Sequence, residues 1–499
     1  MLRNAWDLPP FGDRVGAISE IAQTIGPASR GRSTTAGSLP YTLRTLAGAA
    51  HHVSRARGGG ATTLPGLVVL QRAPQALRVL SQYGLERCVL VSGTNGKTTT
   101  ASMIAAILRE AGYTVVHNRA GANTPFGVAT ALLEADGGVG VLEVDEAWLP
   151  IVTAEVCPDI IVLSNLFRDR LDGYGELDAL AVAWEAMISG DLEGTLVLNA
   201  DDPTIAGLGA MGAGPAASFF GIEDRGLGLP GTEHAADSMR CRSCDGVLRF
   251  DARMLSHMGH HRCDSCGAER PRPGVTADDV LIDGISGSRF AVGLGADRLE
   301  ARLRLPGLYN VYNALAAAAA AHALGIGPLP IGRALAAFAP VFGRGERIRA
   351  GSTDVVVLLM KNPAGANELV RTLGRDDAPS LDLLMLLNDG QPDGRDVSWI
   401  WDADFEALGP RIGSVVCGGR RAAELALRLK YAGWPTSRML VEPEIRGALD
   451  RAIEAAGDRL IALPTYTALL ELHTELSGRG LVSPFWAGSS SPVRPGQPV

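Results

Sequence analysis

Apolar and polar positions alternate between two rhythms along most of the chain, short unbroken apolar runs and longer stretches with helical spacing. The run Cys88-Val89-Leu90-Val91 passes into Ser92-Gly93-Thr94-Asn95-Gly96-Lys97-Thr98-Thr99 and then into a helical pattern over Ala101 to Ala111. Further buried strands are predicted at Thr114 to His117, Gly140 to Val144 and Ile160 to Leu163, with helical segments between them. Strands alternating with helices predict a parallel sheet covered on both faces. Strand alternation returns at Ala301 to Leu305, and Asn310 to Leu324 reads as a strongly apolar helix. A charged, glycine-rich joint, Phe342-Gly343-Arg344-Gly345-Glu346-Arg347, precedes a second α/β unit with strands at Val355 to Met360, Leu383 to Asn388, Ile412 to Cys417 and Leu460 to Leu463.

This pattern divides the chain into an extension at 1–55, expected to be partly disordered, a unit at 56–347 with an insertion at about 238–270, a unit at 348–487, and a loose tail at 488–499. The total of 499 residues is ample for several cores. Apolar residues at 46% and charged residues at 20% exclude wholesale disorder. A net charge of −8 argues against a protein built to grip nucleic acid. No membrane span is predicted, because the nearest apolar run, Leu315 to Ile326, is short and broken by His322. The first 40 residues do not have the form of a secretory signal, so the expected compartment is the cytosol.

Only three lysines, Lys97, Lys361 and Lys430, stand against 43 arginines. In a chain that uses arginine by default, a surviving lysine marks a place where a compact ammonium has a use that arginine cannot serve. Lys97 meets that description. Gly93, Gly96, Lys97 and Thr98 supply the glycines, phosphate-reaching lysine and metal-binding hydroxyl of a phosphate loop, although Val91 stands where the usual spacing has a first glycine. The alternative is a helix cap with an incidental lysine. Glu143, Asp145 and Glu146 end a buried strand, either as Mg²⁺ ligands opposite Thr98 or as a solvated strand end. The next strand ends in the polar cluster Ser164 to Asp172, at the sheet edge where open α/β folds bind ligands.

Cys241-x₂-Cys244-x₁₈-Cys263-x₂-Cys266 predicts two knuckles closing a four-thiolate Zn²⁺ site with no position left for water, hence a structural metal; redox disulfides are the alternative. His257, His260 and His261 are expected on the surface of this ribbon. Seven arginines against six acids over 231–273 make no basic patch. Cys88, Cys157 and Cys417 read as small buried hydrophobes.

The motifs GTNGKTT, EVDEA, NLFRDRLD and PGLYNVYNA occur in the order found in Mur ligases, the ATP-dependent amide-forming enzymes of peptidoglycan synthesis. Within them the chain resembles the MurT type, the synthetase subunit of lipid II isoglutaminyl synthase. That likeness rests on the four-cysteine insertion, KNPAGAN at 361–367, NDGQPDGRDVSWIWDADFE at 388–406 and RLKYAG at 428–433, and it spans roughly residues 45 to 485.

The resemblance implies a Mur ligase-like central domain with a parallel sheet and an inserted zinc ribbon, followed by a smaller Rossmann-like α/β domain. It implies ATP held by Gly93, Thr94, Asn95, Gly96, Lys97, Thr98 and Thr99, with Asn310 and Asn313 near the adenine, and Mg²⁺ held by Thr98 and by Glu146 with Glu143. Phosphoryl transfer to a carboxylate would give an acyl phosphate open to attack by an amine.

Three departures separate the chain from the amino-acid-adding ligases. Arg170 replaces a metal-binding histidine, Asp178 to Gly190 holds no lysine that could bridge a second metal, and Lys361 replaces the histidine before Asn-Pro. MurT-like proteins use ammonia instead. The acidic run Asp389, Asp393, Asp396, Asp402, Asp404 and Glu406, with Trp399 and Trp401, is either an acidic loop anchored by two aromatics or, by the resemblance, the surface that meets a GatD-type glutamine amidotransferase. There one aspartate, Asp393 first and Asp396 second, would complete the partner's Cys-His site. The activity implied is amidation of the α-carboxyl of D-glutamate in lipid II to D-isoglutamine, at the inner face of the cell membrane. A standalone amino-acid ligase and a zinc-ribbon NTP-binding regulator are the alternatives.

Overall fold

The computed structural model describes residues 45, 47–52, 62–118, 121–168, 176–190, 192–209, 215–229, 231, 236–339 and 342–483. Residues 1–44, the Arg170 position and the tail at 488–499 lie outside them. Residues 47–52, within the stretch read as an extension, are helical, and Ala47 is buried in a core.

Two helices, α1 (Leu64–Arg72) and α2 (Ala76–Gly84), lead into β1 (Arg87–Ser92), and α3 (Lys97–Glu110) follows it. The chain continues through β2 (Val115–His117), α4 (Pro125–Leu133), β3 (Val139–Glu143), α5 (Leu149–Val156), β4 (Ile160–Leu163), α6 (Glu176–Ser189), β5 (Thr195–Asn199), α7 (Pro203–Gly209) and β6 (Ala216–Ile222). An inserted hairpin, β7 (Leu248–Leu255) and β8 (Met258–Cys263), precedes β9 (Val275–Ile282), β10 (Ser288–Leu294) and β11 (Asp297–Leu303). The strands other than the hairpin form one sheet in the order β11-β10-β9-β6-β5-β4-β1-β3-β2.

From β2 to β9 every pairing is parallel, while β10 runs antiparallel to both neighbours. The expected parallel sheet therefore carries an antiparallel edge. The physical reason is that β9, β10 and β11 are joined by short turns, which can only connect antiparallel strands. Both faces of this sheet are covered, as alternation along β1 requires. Val89 and Val91 enter a core with α3 and the alanine-rich α8 (Leu308–Ala323), whereas Cys88 and Leu90 enter the opposite core with α1, α2 and α4.

After α9 (Pro328–Ala337), a second sheet has the order β12-β13-β17-β14-β15-β16, built from β12 (Arg344–Ala350), β13 (Thr353–Leu358), β14 (Leu381–Leu386), β15 (Ile412–Gly418), β16 (Met439–Val441) and β17 (Arg459–Pro464). All its pairings are parallel except β12 on β13. Helices α10 (Pro363–Gly374) and α11 (Ala422–Tyr431) cover one face, and α12 (Ile445–Ala455) and α13 (Tyr466–Gly478) the other. β12 begins inside the segment read as a joint, so Arg344 is already part of this sheet. No helix among the described residues is long and apolar enough to cross a membrane.

The ribbon histidines are not on the surface. His257, His260 and His261 are buried, at 0%, 6% and 8% exposure. The hairpin lies against the main sheet instead of standing off it, with His260 Nε2 2.7 Å from the carbonyl of Ile222 on β6.

Candidate functional site

Register places the carboxyl ends of three central strands side by side, with Val91 opposite Glu143 and Ser92 opposite Leu163. The loops leaving those ends build the site. Val91 remains inside β1, so the loop is confined to the residues after Ser92. Gly93 has φ +139°, and a Cβ there would lie 2.3 Å from Ser164 Oγ. Gly96 has φ +85° at the start of α3, and a Cβ there would lie 2.0 Å from Asn313 Oδ1. Only glycine satisfies both the left-handed backbone and the close approach at Gly96.

The loop is tied to the neighbouring strand end. Thr94 Oγ1 donates to the carbonyl of Phe167 at 3.1 Å, Asn95 N–H donates to Asn165 Oδ1 at 2.9 Å, and Asn165 Nδ2 donates to the carbonyl of Asn95 at 3.0 Å. Lys97 is buried at the first turn of α3 and donates to the carbonyls of Gly93 (2.6 Å) and Thr94 (3.3 Å) and to Glu146 Oε2 (3.0 Å).

Glu143 is buried, and its Oε2 has no hydrogen-bond partner among the described residues. Burial raises its pKa against the opposing pull of Lys97, Arg344 and the Thr98 hydroxyl. Asp145 is pushed up to about 6, first by burial and then by the charge of Glu146. A carboxylate cluster this desolvated has the chemistry of a cation site, and Mg²⁺ accepts such oxygens together with Thr98 and phosphate.

A cavity of about 370 Å³ opens over the loop. Thr94, Asn95, Gly96, Lys97, Thr98 and Thr99 line it, as do Glu143, Asp145 and Glu146. Asn313 lines it too, whereas Asn310 does not: Asn310 is buried, donates to the carbonyl of Pro306 at 2.7 Å and accepts from Asn313 Nδ2 at 3.0 Å. Asn310 therefore holds Asn313 from behind.

The second unit closes the cavity with Lys361, Asn362, Glu368 and Tyr466. Asn362 caps α10 by accepting from Gly365 N–H at 2.9 Å and donates to Asn95 Oδ1 at 3.0 Å, a direct link from this unit to the phosphate loop. Of the three lysines, Lys97 and Lys361 face the cavity and Lys430 is exposed on α11.

Several cavity residues were not singled out from the sequence. Arg344 donates to Thr98 Oγ1 at 3.3 Å and faces Glu143. The flanking Gly343 and Gly345 had the look of a linker, and the arginine between them was the available signal. Leu255 and Met258, from the tip of the ribbon hairpin, also line the cavity, although no local pattern marks them.

The four cysteine sulfurs lie within 4.8 Å of one another. The Cys241–Cys266 and Cys244–Cys263 Sγ distances are 3.6 and 3.5 Å, far beyond a disulfide bond and near the ~3.8 Å edge of a tetrahedral zinc-thiolate site. The donor set fits a closed metal site. Of the other cysteines, Cys88 and Cys417 are buried and Cys157 is half-buried.

In the acidic run, Asp393 is buried and accepts from Thr467 N–H at 3.1 Å and from the Thr467 hydroxyl, which pins the loop to the start of α13. Asp396 is exposed and accepts from Ser398 N–H at 2.8 Å. Trp399 is buried, whereas Trp401 is 48% exposed and packs on Tyr431 with ring centroids 5.9 Å apart.

A parallel sheet ending in a glycine loop, a second α/β unit closing over it and an inserted cysteine ribbon define a Mur ligase fold. Residues 91–238 match the Mur ligase middle domain and residues 359–469 match the MurT ligase C-terminal domain. The chain is 32% identical to the lipid II isoglutaminyl synthase (glutamine-hydrolyzing) subunit MurT of Streptococcus pneumoniae, over 89% of this chain and 98% of the relative. It is 31% identical to the subunit of that name in Staphylococcus aureus strain N315, over 88% and 98%. The chain belongs to the MurT family. Its fold is shared with a pseudomurein peptide ligase type C from Methanothermus fervidus (TM-score 0.62, 22% identity, 83% of this chain and 84% of the other). It is also shared with MurF from Acinetobacter baumannii (TM-score 0.58, 17% identity, 81% and 80%).

Proposed function

We propose that the protein is the synthetase subunit of a lipid II isoglutaminyl synthase. It amidates the α-carboxyl of D-glutamate in the lipid II stem peptide to D-isoglutamine, drawing ammonia from glutamine through a GatD-type amidotransferase subunit. It works in the cytoplasm, at the inner face of the membrane. The observation that carries this reading is the identity to MurT subunits, which runs through both units that line the cavity.

A carboxylate oxygen of the substrate attacks the γ-phosphorus of ATP and ADP departs, leaving an acyl phosphate. Ammonia then attacks the acyl carbon and loses a proton, and phosphate leaves as the amide forms. Lys97, folded onto the loop carbonyls and Glu146 in this structure, is the cation that meets the phosphates, and Arg344 is placed to oppose the charge beside Thr98. Glu143, Glu146 and Thr98 would hold Mg²⁺, which supplies charge neutralisation at the transferred group. Cys241, Cys244, Cys263 and Cys266 would hold Zn²⁺, which supplies a cross-link at the base of the ribbon.

Of the two aspartates expected to serve the partner, exposure favours Asp396 over Asp393. Asp396 presents its carboxylate outward to complete a Cys-His site, and Asp393 fixes the loop that carries it. The boundary expected at 347 moves to the start of β12 at Arg344, with the central domain before it and the closing domain, expected to end at 487, after it.

The test is reconstitution with the amidotransferase, glutamine, ATP and lipid II. Amidated lipid II is expected, with Asp396→Asn losing glutamine-dependent but keeping ammonia-dependent activity. Activity with a free amino acid and no glutaminase would contradict the reading.

A further inference from the structure

The ribbon hairpin reaches from the cysteine cluster to the cavity. Cys263 ends β8 at one end, and at the other Leu255 and Met258 line the cavity while being 5% and 2% exposed. Buried polar contacts fix this tip. The carboxylate of Asp202 accepts from Leu166 N–H at 2.9 Å and lies 3.3 Å from His257 Nε2, both side chains being fully buried. The His257 ring packs on Phe167 at 4.6 Å, and Phe167 N–H donates to Thr94 Oγ1 of the phosphate loop at 3.0 Å.

A second path leaves the ribbon beyond Cys266. Arg270 donates to Asp201, whose other oxygen accepts from the hydroxyl of Tyr312 at 2.8 Å, and Tyr312 lines the same cavity. Asp201 also accepts Gly259 N–H on its carbonyl at 2.8 Å, joining the two paths. The closing unit touches the tip as well, because Arg371 of α10 donates to the carbonyl of Met254 at 2.5 Å.

We propose that Leu255 and Met258 are nucleotide-contacting residues: the inserted ribbon supplies an apolar wall of the nucleotide site, held in place by Asp201 and Asp202. This rests on the reading of the cavity as an ATP site. The wall stands at the nucleotide end because its neighbour, Phe167, is bonded to the phosphate loop itself. Apolar side chains there exclude water and offer a nucleoside a surface for contact, and truncating such contacts reduces affinity by one to two orders of magnitude.

The experiment measures the dissociation constant of a non-hydrolysable ATP analogue with Mg²⁺ on the full-length chain, alongside its thermal unfolding. The double variant Leu255→Ala/Met258→Ala is expected to bind about tenfold more weakly, while Met258→Leu, which restores apolar volume, stays within about threefold of the parent. Tyr312→Phe, which keeps the ring and removes only the hydroxyl bonded to Asp201, provides an arm that does not threaten the fold and is expected to weaken binding several-fold. Unchanged affinity in both the double variant and Tyr312→Phe overturns the inference alone. A parent chain that binds no nucleotide overturns the cavity reading and the inference with it. Weakened affinity for lipid II with nucleotide affinity intact overturns the inference in favour of an acceptor wall.

Discussion

Replacing Gly96 by alanine tests the geometry of the phosphate loop at its tightest point. The residue has φ +85°, and a non-glycine residue in that region costs about 1–2 kcal/mol. The added Cβ would lie 2.0 Å from Asn313 Oδ1, so the asparagine must move, yet it is only 3% exposed. Moving it breaks the bond from Thr100 Oγ1 (3.2 Å) and the bond to Asn310 Oδ1 (3.0 Å), each contributing about 1 kcal/mol. Together these give a destabilisation of about 3–4 kcal/mol for the central domain, a fall in melting temperature of roughly 5–7 °C for a unit of this size. Scanning calorimetry of Gly96→Ala against the parent, with and without ADP, reads both the loss and the weakened nucleotide protection. A melting temperature within about 2 °C of the parent, with ADP protection intact, would refute the packing argument.

Further outcomes follow from the same contacts. Lys97→Arg should abolish ATP turnover while leaving the fold intact by circular dichroism, because a planar guanidinium cannot occupy the site the ammonium shares between two carbonyls and Glu146; near-normal turnover would contradict the need for an ammonium there. The parent chain should hold one zinc, and Cys266→Ser should reduce that to near zero and, through the hairpin tip, weaken nucleotide binding; tight zinc retention by elemental analysis would contradict a four-thiolate site. Asp376 is a pH-dependent contribution. Burial alone would raise its carboxyl, but bonds from Ala378 N–H, Arg459 and Ile285 N–H outweigh it and hold the carboxyl below its ordinary value. The depressed folded value means its stabilisation is complete above the ordinary carboxylate range and is lost as pH falls through the folded value. Asp376→Asn should therefore cost about 1–3 kcal/mol at pH 7 and progressively less in acid, by denaturant unfolding at both pH values; a gap that widens in acid would reverse the sign.

What was legible in the sequence was local. The apolar run of β1, the glycines of the loop and the helical spacing after Lys97 lie within about twenty residues, and the structure joins them as strand, loop and helix. The alternation of strands with helices also predicted a sheet covered on both faces, and the cysteine spacing predicted the cluster. What escaped notice depends on contacts far apart in the chain. Arg344 becomes a site residue only because β12 pairs in the second sheet and turns it toward Thr98, 246 residues away. His257 looked like a surface histidine because its burial comes from Asp202 and Phe167, 55 and 90 residues earlier. The antiparallel edge and the cavity-lining hairpin tip likewise follow from turns and packing that periodicity does not encode.

The central claim is that a substrate carboxylate becomes an acyl phosphate in this cavity before ammonia reaches it. The direct measurement uses lipid II carrying ¹⁸O at both oxygens of the α-carboxyl of its D-glutamate, incubated with the chain, a GatD-type amidotransferase, glutamine and ATP, with mass analysis of the phosphate released. One ¹⁸O transferred to phosphate for each amide formed is the predicted result. Amide formation that leaves the phosphate unlabelled would contradict it.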